Sequence, residues 1–388
     1  MVELPLELQA ELAVPHLSAA KRSVAMTGGG YWPTLIRMAD GTLAALTRQG
    51  APHVGLRSAV AVIFSRDGGA TWEPPRVAAA GSDRWDNRAG GFGQMPNGDL
   101  VAVYVEATWY RGWKFDPSVG GMAARCVRSA DGGRTWSAPR PLGAEGGDDG
   151  LAAYGRIGVL PDGTALLTGF RARNAHEDKS ASVVVRSRDN GRTWGDESIV
   201  ARGFNEVTVL SLPTGRLLAF LRQDGRAVGV WQAASDDLGY TWTTPRRLTA
   251  DHQHPADACL LHGGRLLLTY GNRIGPLAVG AMLSDDLGDS WHSDRRIVLA
   301  RNTLVLRGKT WGDCGYPSTV QTADGTIVTV YYRLGSDELS AADQKTCLDY
   351  ERMEFENPPA PDDMRRFEQA VCVRCTESQL LAASGLGG

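Results

Sequence analysis

From about residue 30 to residue 333 the chain alternates short apolar runs with turns that contain glycine. The segments TLIRMADGTLAAL, FGQMPNGDLVAV, IGVLPDGTALLT, VTVLSLPTGRLLAF, ACLLHGGRLLLT and TVQTADGTIVTVYY each read as strand, tight turn, strand. Their turn glycines are Gly41, Gly98, Gly163, Gly215, Gly264 and Gly325, and they recur roughly every 50 to 65 residues. Five of these hairpins are followed by a second one with the pattern S-x-D-x-G-x-S/T-W. Its copies run Ser65 to Trp72, Ser129 to Trp136, Ser187 to Trp194, Ser235 to Trp242 and Ser284 to Trp291. In this turn Asp is expected to bond the backbone two residues on, Gly to take a positive φ, and Trp to cover the turn. Two hairpins per period make a four-stranded antiparallel sheet. A series of such sheets buries every face when it packs radially, so the pattern predicts an all-β, six-bladed β-propeller. Two separate β-sandwiches are the alternative, and the regular spacing disfavours them.

Composition sharpens this picture. Gly is 47 of 388 residues, well above the usual ~7%, and Trp is 11. The excess falls largely in the turns. A net charge of −3 argues against a nucleic-acid partner. No apolar run reaches the ~20 residues that span a bilayer, so no membrane partner is expected. The start, MVELPLELQAEL, lacks a basic stretch followed by an apolar one, and six Cys in so long a chain do not form a disulfide scaffold. A cytoplasmic location follows as the expectation. The whole of 1–388 is expected to be one propeller domain, with oligomerisation left open. A partly helical insertion is expected at about 334–368 and a closing strand near 369–376, with the N-terminal run ELAVPHL as a further closing strand.

The five S-x-D-x-G-x-S/T-W units resemble the Asp-boxes of the sialidase (neuraminidase) superfamily, over about residues 25–333. The resemblance implies a six-bladed propeller with its site at one mouth of the central channel. Hairpin order locates that mouth independently. Strand-one starts and strand-two ends share the face opposite both sets of turns. They bring together Tyr31, Trp32, Arg88, Tyr154, Arg156, Glu206, His254, Asp257, Asp313 and Tyr316 from the starts, and Arg48, His53, Arg222, Arg273 and Tyr332 from the ends. That face is rich in Arg, Tyr and carboxylates.

Two of these residues match the family's catalytic pair. Glu206 opens NEVTVLSL and Tyr316 opens YPSTVQTA. The resemblance implies that Glu206 activates Tyr316, which attacks the anomeric carbon. A phenol with a pKa near 10 needs such a carboxylate to take its proton, and a neutral phenol is not repelled by an anionic sugar. Arg222 and Arg273 resemble members of the family's carboxylate-binding arginine cluster, whose planar forks suit both oxygens. The sequence departs from the family in two places. Where the first blade should carry an Arg before its Pro, this chain reads Gly30-Tyr31-Trp32-Pro33, so an aromatic stands there. Where an acidic residue is expected before the first Asp-box, the loop Arg48 to Arg57 offers His53 as the proton-transfer group. Asp86 and Arg88 could enter the same pocket from the second blade.

Function therefore reads as an exo-acting glycoside hydrolase cleaving a terminal, acidic sugar from an oligosaccharide or glycoconjugate. Two alternatives stand beside it. One is a rhamnosidase or a lyase acting on a rhamnose–uronate linkage, and the other is a non-catalytic sugar-binding propeller. No cofactor is expected. His252 and His254 are spaced i, i+2, but no third metal ligand accompanies them.

Overall fold

The computed structural model describes residues 6–51, 53–116, 118–143, 150–172, 180–225, 228–274, 277–301, 314–335 and 367–387. Of the positions considered above, Asp313 and residues 336–366 of the 334–368 segment lie outside the described residues.

Six antiparallel sheets succeed one another along the chain. Blade one is Gly29–Arg37, Leu43–Gln49, Ala59–Ser65 and Arg76–Ala79. Blade four (Phe204–Ser211, Leu217–Gln223, Val230–Ser235, Arg246–Arg247) and blade five (Gln253–Leu260, Leu266–Asn272, Ala278–Ser284, Ile297–Arg301) repeat that order. Blade six runs Gly315–Gln321, Ile327–Leu334, Glu368–Cys375, and its outermost strand is Lys21–Thr27. Both chain ends thus meet in one sheet, with Lys21 paired to Arg374 and Thr27 to Gln369. The ELAVPHL run is not the closing strand. Its first part belongs to a helix, Leu6–Ala13, and only His16 makes a bridge, to Val298 of blade five. Leu, Glu, Gln and Ala, which compose that helix, are strong helix formers, whereas Lys21–Thr27 offers Ala25 and Met26 to bury.

Blade two (Asp86–Gln94, Leu100–Ala107, Met122–Ser129, Arg140–Pro141) and blade three, whose outer strands are Ala165–Arg171, Ala181–Ser187 and Gly195–Arg202, depart from the plain four-strand pattern. The inner strand of blade three is broken into Leu151–Ala153, Gly155–Arg156 and Gly158–Val159. The middle piece leaves its own blade and pairs in parallel with Gly91 and Phe92 of blade two.

The repeated turn works differently from the expectation. Ser65 donates to Asp67 at 2.8 Å and accepts from the Gly69 N–H at 2.8 Å. The Asp67 carboxylate then takes the Thr71 N–H and hydroxyl, four residues on, at 2.9 and 2.6 Å. The same pattern closes around Asp131, Asp189, Asp237 and Asp286. A four-residue reach closes a wider loop than a two-residue one, and the Ser hydroxyl fills the space inside it.

The Trp that ends each turn does more than cover it. Trp72 packs with Leu35, Ile63 and Val330, between blades six and one. Trp136, Trp194, Trp242 and Trp291 occupy the equivalent seams between blades one and two, two and three, three and four, and four and five. Each Trp therefore joins its blade to the preceding one, burying the large apolar area that an indole carries. Blade six has no such turn. In the seam between blades five and six, Leu380 of the C-terminal helix Glu377–Ser384 packs against Leu267, Ile327 and Val371 instead.

These turns are expected to contribute to the acid limit of the fold. The Thr241 hydroxyl and N–H, then the Ser235 hydroxyl, hold the Asp237 carboxyl down at about 2, against an ordinary 3.8. The Ser290 hydroxyl and N–H do the same to Asp286, also about 2. At Asp189 partial burial pushes the other way, but the bonds from Thr193 outweigh it. A depressed carboxylate stabilises the fold above the unfolded-state value near 4, and that stabilisation is lost as pH falls through the folded value near 2. The urea midpoint should be level above pH ~5 and drop between ~4 and ~2. Asp237→Asn should lower the plateau and flatten that acid limb, and an unchanged limb would show that the turn carboxylates do not control acid unfolding.

Candidate active site

Strand-one starts and strand-two ends converge at one mouth of the channel, away from both sets of turns. Blade six delivers Tyr316 at the start of its inner strand. Gly315 before it has φ 98°, and a Cβ there would sit 2.7 Å from the Gly271 Cα of blade five. Only glycine permits that approach. Tyr316 itself has φ 47°, an uncommon backbone for a bulky residue and one that the surrounding packing must hold in place. Its ring meets Tyr154 edge-on at 5.7 Å and Tyr332 at 5.7 Å, with the Arg273 guanidinium 5.4 Å from its centroid.

Three of the sequence candidates form one hydrogen-bonded group. The Tyr316 hydroxyl donates to Glu206 Oε1 at 2.6 Å. Arg222 Nη1 donates to Glu206 Oε2 at 2.7 Å and to the Tyr316 oxygen at 3.0 Å. Burial alone would weaken the charge of Arg222, but the Glu206 carboxylate and the Tyr316 hydroxyl more than offset it, so the guanidinium stays protonated. Tyr154 is pushed well above the ordinary phenol range by burial, then by the Glu206 charge and Tyr316, so it stays neutral. Arg222 thus sits on the Tyr–Glu pair, bonded to both, with about a fifth of its side chain exposed.

Beside this group lies a cavity of about 130 Å³. Its apolar side is Val105, Met122, Ala152 and Phe170. Trp32, Trp109 and Tyr154 form walls, and Arg88, Glu206 and Tyr316 provide the polar edge. Sequence reasoning missed Trp109, Tyr110, Met122 and Phe170. The aromatic-rich run TWYRGWKF after the second strand of blade two was the available signal. It folds as a small hairpin, Tyr110–Arg111 on Lys114–Phe115, over this side of the mouth.

Several candidates are placed otherwise. Arg48 and Asp86 form an ion pair at 2.8 Å with neither side chain exposed. Arg48 also donates to the His53 and Gly55 carbonyls, so it braces the His53 loop and does not face a ligand. Arg156 and Asp257 likewise bond each other, at 2.6 and 2.7 Å. Arg156 further donates to the Thr319 and Ala258 carbonyls, and Asp257 accepts the Thr319 N–H at 2.7 Å. This pair ties blades three, five and six together across the channel. His254 is 2% exposed, and burial with the Arg273 and Arg222 charges drives its pKa far down, so it is a neutral interior ring. Among the described residues no three His, Cys, Asp or Glu side chains gather as a metal site.

The remaining aromatics pack as one cluster. The His53 ring lies 4.9 Å from Trp32, 5.6 Å from Tyr31 and 6.3 Å from Tyr332. Tyr31 reaches Glu368 at 3.4 Å. Tyr31, Trp32 and Tyr332 are nearly buried, and of these Trp32 lines the cavity.

Fold and site together describe a sialidase-like propeller. Residues 46–329 match the model of the BNR repeat-like domain, and the chain belongs to that family. A sialidase of Bacteroides fragilis (strain YCH46) is 30% identical over 224 residues, which cover 49% of this chain and 38% of the relative. The chain thus matches well under half the length of that protein. Among solved structures, a protein of unknown function from Dyadobacter fermentans DSM 18053 superposes with a TM-score of 0.66 at 23% identity, covering 91% of this chain and 97% of that one. The intramolecular trans-sialidase of Ruminococcus gnavus, in complex with oseltamivir carboxylate, gives 0.59 at 13% identity and covers 93% and 98%. The Trypanosoma rangeli sialidase in complex with the inhibitor DANA gives 0.58 at 16%, covering 93% and 57%. At these identities the structural likeness speaks for the fold.

Proposed function

We propose that this chain is an exo-acting glycoside hydrolase that removes a terminal acidic sugar from a glycan. The observation that carries the reading is the Tyr316 hydroxyl, held 2.6 Å from Glu206 and 3.0 Å from the Arg222 guanidinium. In the proposed reaction Tyr316 Oη attacks the anomeric carbon as its proton passes to Glu206. The bond to the leaving oxygen breaks, and that oxygen takes a proton from His53. Water then displaces the tyrosyl ether, losing a proton to His53 as Glu206 returns its proton to the phenol, so both groups end as they began. Arg222 stabilises the charge that develops on the phenolic oxygen. Arg273, over the Tyr316 ring, supplies positive potential for an acidic sugar. The apolar floor of the cavity suits a methyl-bearing substituent on that sugar.

The test is release of 4-methylumbelliferone from its N-acetylneuraminate and glucuronate glycosides, with a fluorinated sugar to trap the covalent intermediate. Fluorophore release and an adduct on the peptide that contains Tyr316 are expected. An unsaturated product absorbing in the near ultraviolet would replace hydrolysis by elimination. Sugar binding without turnover across a broad glycan panel would make the propeller a binding module.

A further inference from the structure

Among the described residues that line the cavity, Arg88 is the cation that the site's internal bonds leave largely unused. It enters from the inner strand of blade two, with 24% of its side chain exposed, and lines the same cavity as Glu206 and Tyr316. Its guanidinium carbon lies 4.2 Å from the centroid of the Trp32 ring and 5.9 Å from that of Trp109. Stacking on an indole fixes the guanidinium plane and leaves its N–H edge available to a planar acceptor.

The protein takes little of that edge. Arg88 Nη1 makes one bond, at 3.2 Å, to Asp86 Oδ2. Its other N–H groups have no protein partner among the described residues. Asp86 is already satisfied without it, through Arg48 at 2.8 Å, Ser58 at 3.0 Å and the Tyr110 hydroxyl at 3.0 Å. The buried Arg48 neutralises Asp86, so Arg88 is surplus positive charge. Arg222, by contrast, is tied to Glu206 and Tyr316, and Arg156 to Asp257.

We propose that Arg88 is a specificity-determining residue that grips an anionic substituent of the ligand from the blade-two side of the cavity. Trp32 acts as its platform: the indole holds the guanidinium flat so that two N–H groups meet one carboxylate. The inference deepens the reading of the site as one for acidic sugars and rests on it.

The experiment compares N-acetylneuraminate and glucuronate with their methyl esters, by calorimetry, on wild type, Arg88→Met and Arg88→Lys. Met keeps the unbranched stem but removes the guanidinium, and with it both the charge and the stacking on Trp32. Wild type should prefer an acid to its ester. Arg88→Met should lose that preference by about 10- to 100-fold, as expected for charge-assisted bonds, while ester affinity holds. Arg88→Lys should restore part of it, because a point charge lacks the fork. Equal loss for acid and ester would mean that Arg88 only packs, and retained preference in Arg88→Met would place the anion elsewhere; either overturns the inference alone. A wild type that does not distinguish acid from ester overturns the acidic-sugar reading itself. Should Arg88→Met fold poorly, the Lys variant decides: it must weaken the acid more than the ester.

Discussion

Tyr316→Phe should lower turnover by about three to six orders of magnitude while the protein still folds and still binds its sugar. The substitution removes one oxygen and leaves the ring between Tyr154 and Tyr332, each 5.7 Å away. Nothing large is left unfilled, so the melting temperature should move by a few degrees at most. What disappears is the atom that Glu206 and Arg222 both address. Glu206→Gln separates the two contributions. The amide keeps the shape and can still bond the phenol, but it cannot take its proton. That variant should lose most of kcat with little change in KM, and its residual rate should rise with pH as the phenol ionises without help. The wild-type rate should not share that dependence. Turnover of the Phe variant within tenfold of wild type would exclude Tyr316 as nucleophile. A Gln variant with wild-type kcat would remove Glu206 as the base.

The fold was legible because it repeats. A glycine hairpin every blade and five S-x-D turns define which strand ends share a face, and Tyr316, Glu206 and Arg222 do meet there. Four features escaped for physical reasons. Arg156 and Asp257 sit one residue or a few beyond positions that face the mouth, yet they bond each other across the channel. Spacing within one strand carries no information about a partner a hundred residues away. Arg48 has the alternation of a mouth residue, but the neighbouring blade supplies Asp86 to bury it. The closing helix Glu377–Ser384 lies outside the repeat, and its start is marked by the pairing of Thr376 with Gln379. Leu380 on that helix fills a seam that elsewhere takes a Trp, so one apolar residue substitutes for another without any shared motif. The cavity floor failed for a related reason: Val105, Met122, Ala152 and Phe170 are ordinary strand residues whose place at the site depends on how two blades meet.

Asp86→Ala should be the most destabilising single change at the mouth, at about 3–5 kcal/mol. The Arg48 side chain is fully buried, and Asp86 is its charge partner at 2.8 Å. Removing the carboxylate leaves a guanidinium out of water with, among the described residues, the His53 and Gly55 carbonyls as its acceptors. It also strands the Ser58 and Tyr110 hydroxyls, which both donate to Asp86. A loss of that size is a large part of the ~5–15 kcal/mol that typically holds a fold. Because Tyr110 belongs to the hairpin beside the cavity and Arg88 also touches Asp86, the cost should extend to ligand binding. A second variant shows whether the buried charge is the cause. Arg48→Met with Asp86→Leu removes both charges and keeps apolar volume, so it should be more stable than Asp86→Ala alone, despite carrying two changes. Urea midpoints for Arg48→Met, Asp86→Leu and the double variant measure the coupling directly. If the two losses simply added, the pair would be an ordinary polar contact, and the bracing of the His53 loop by Arg48 would have to come from its carbonyl bonds alone.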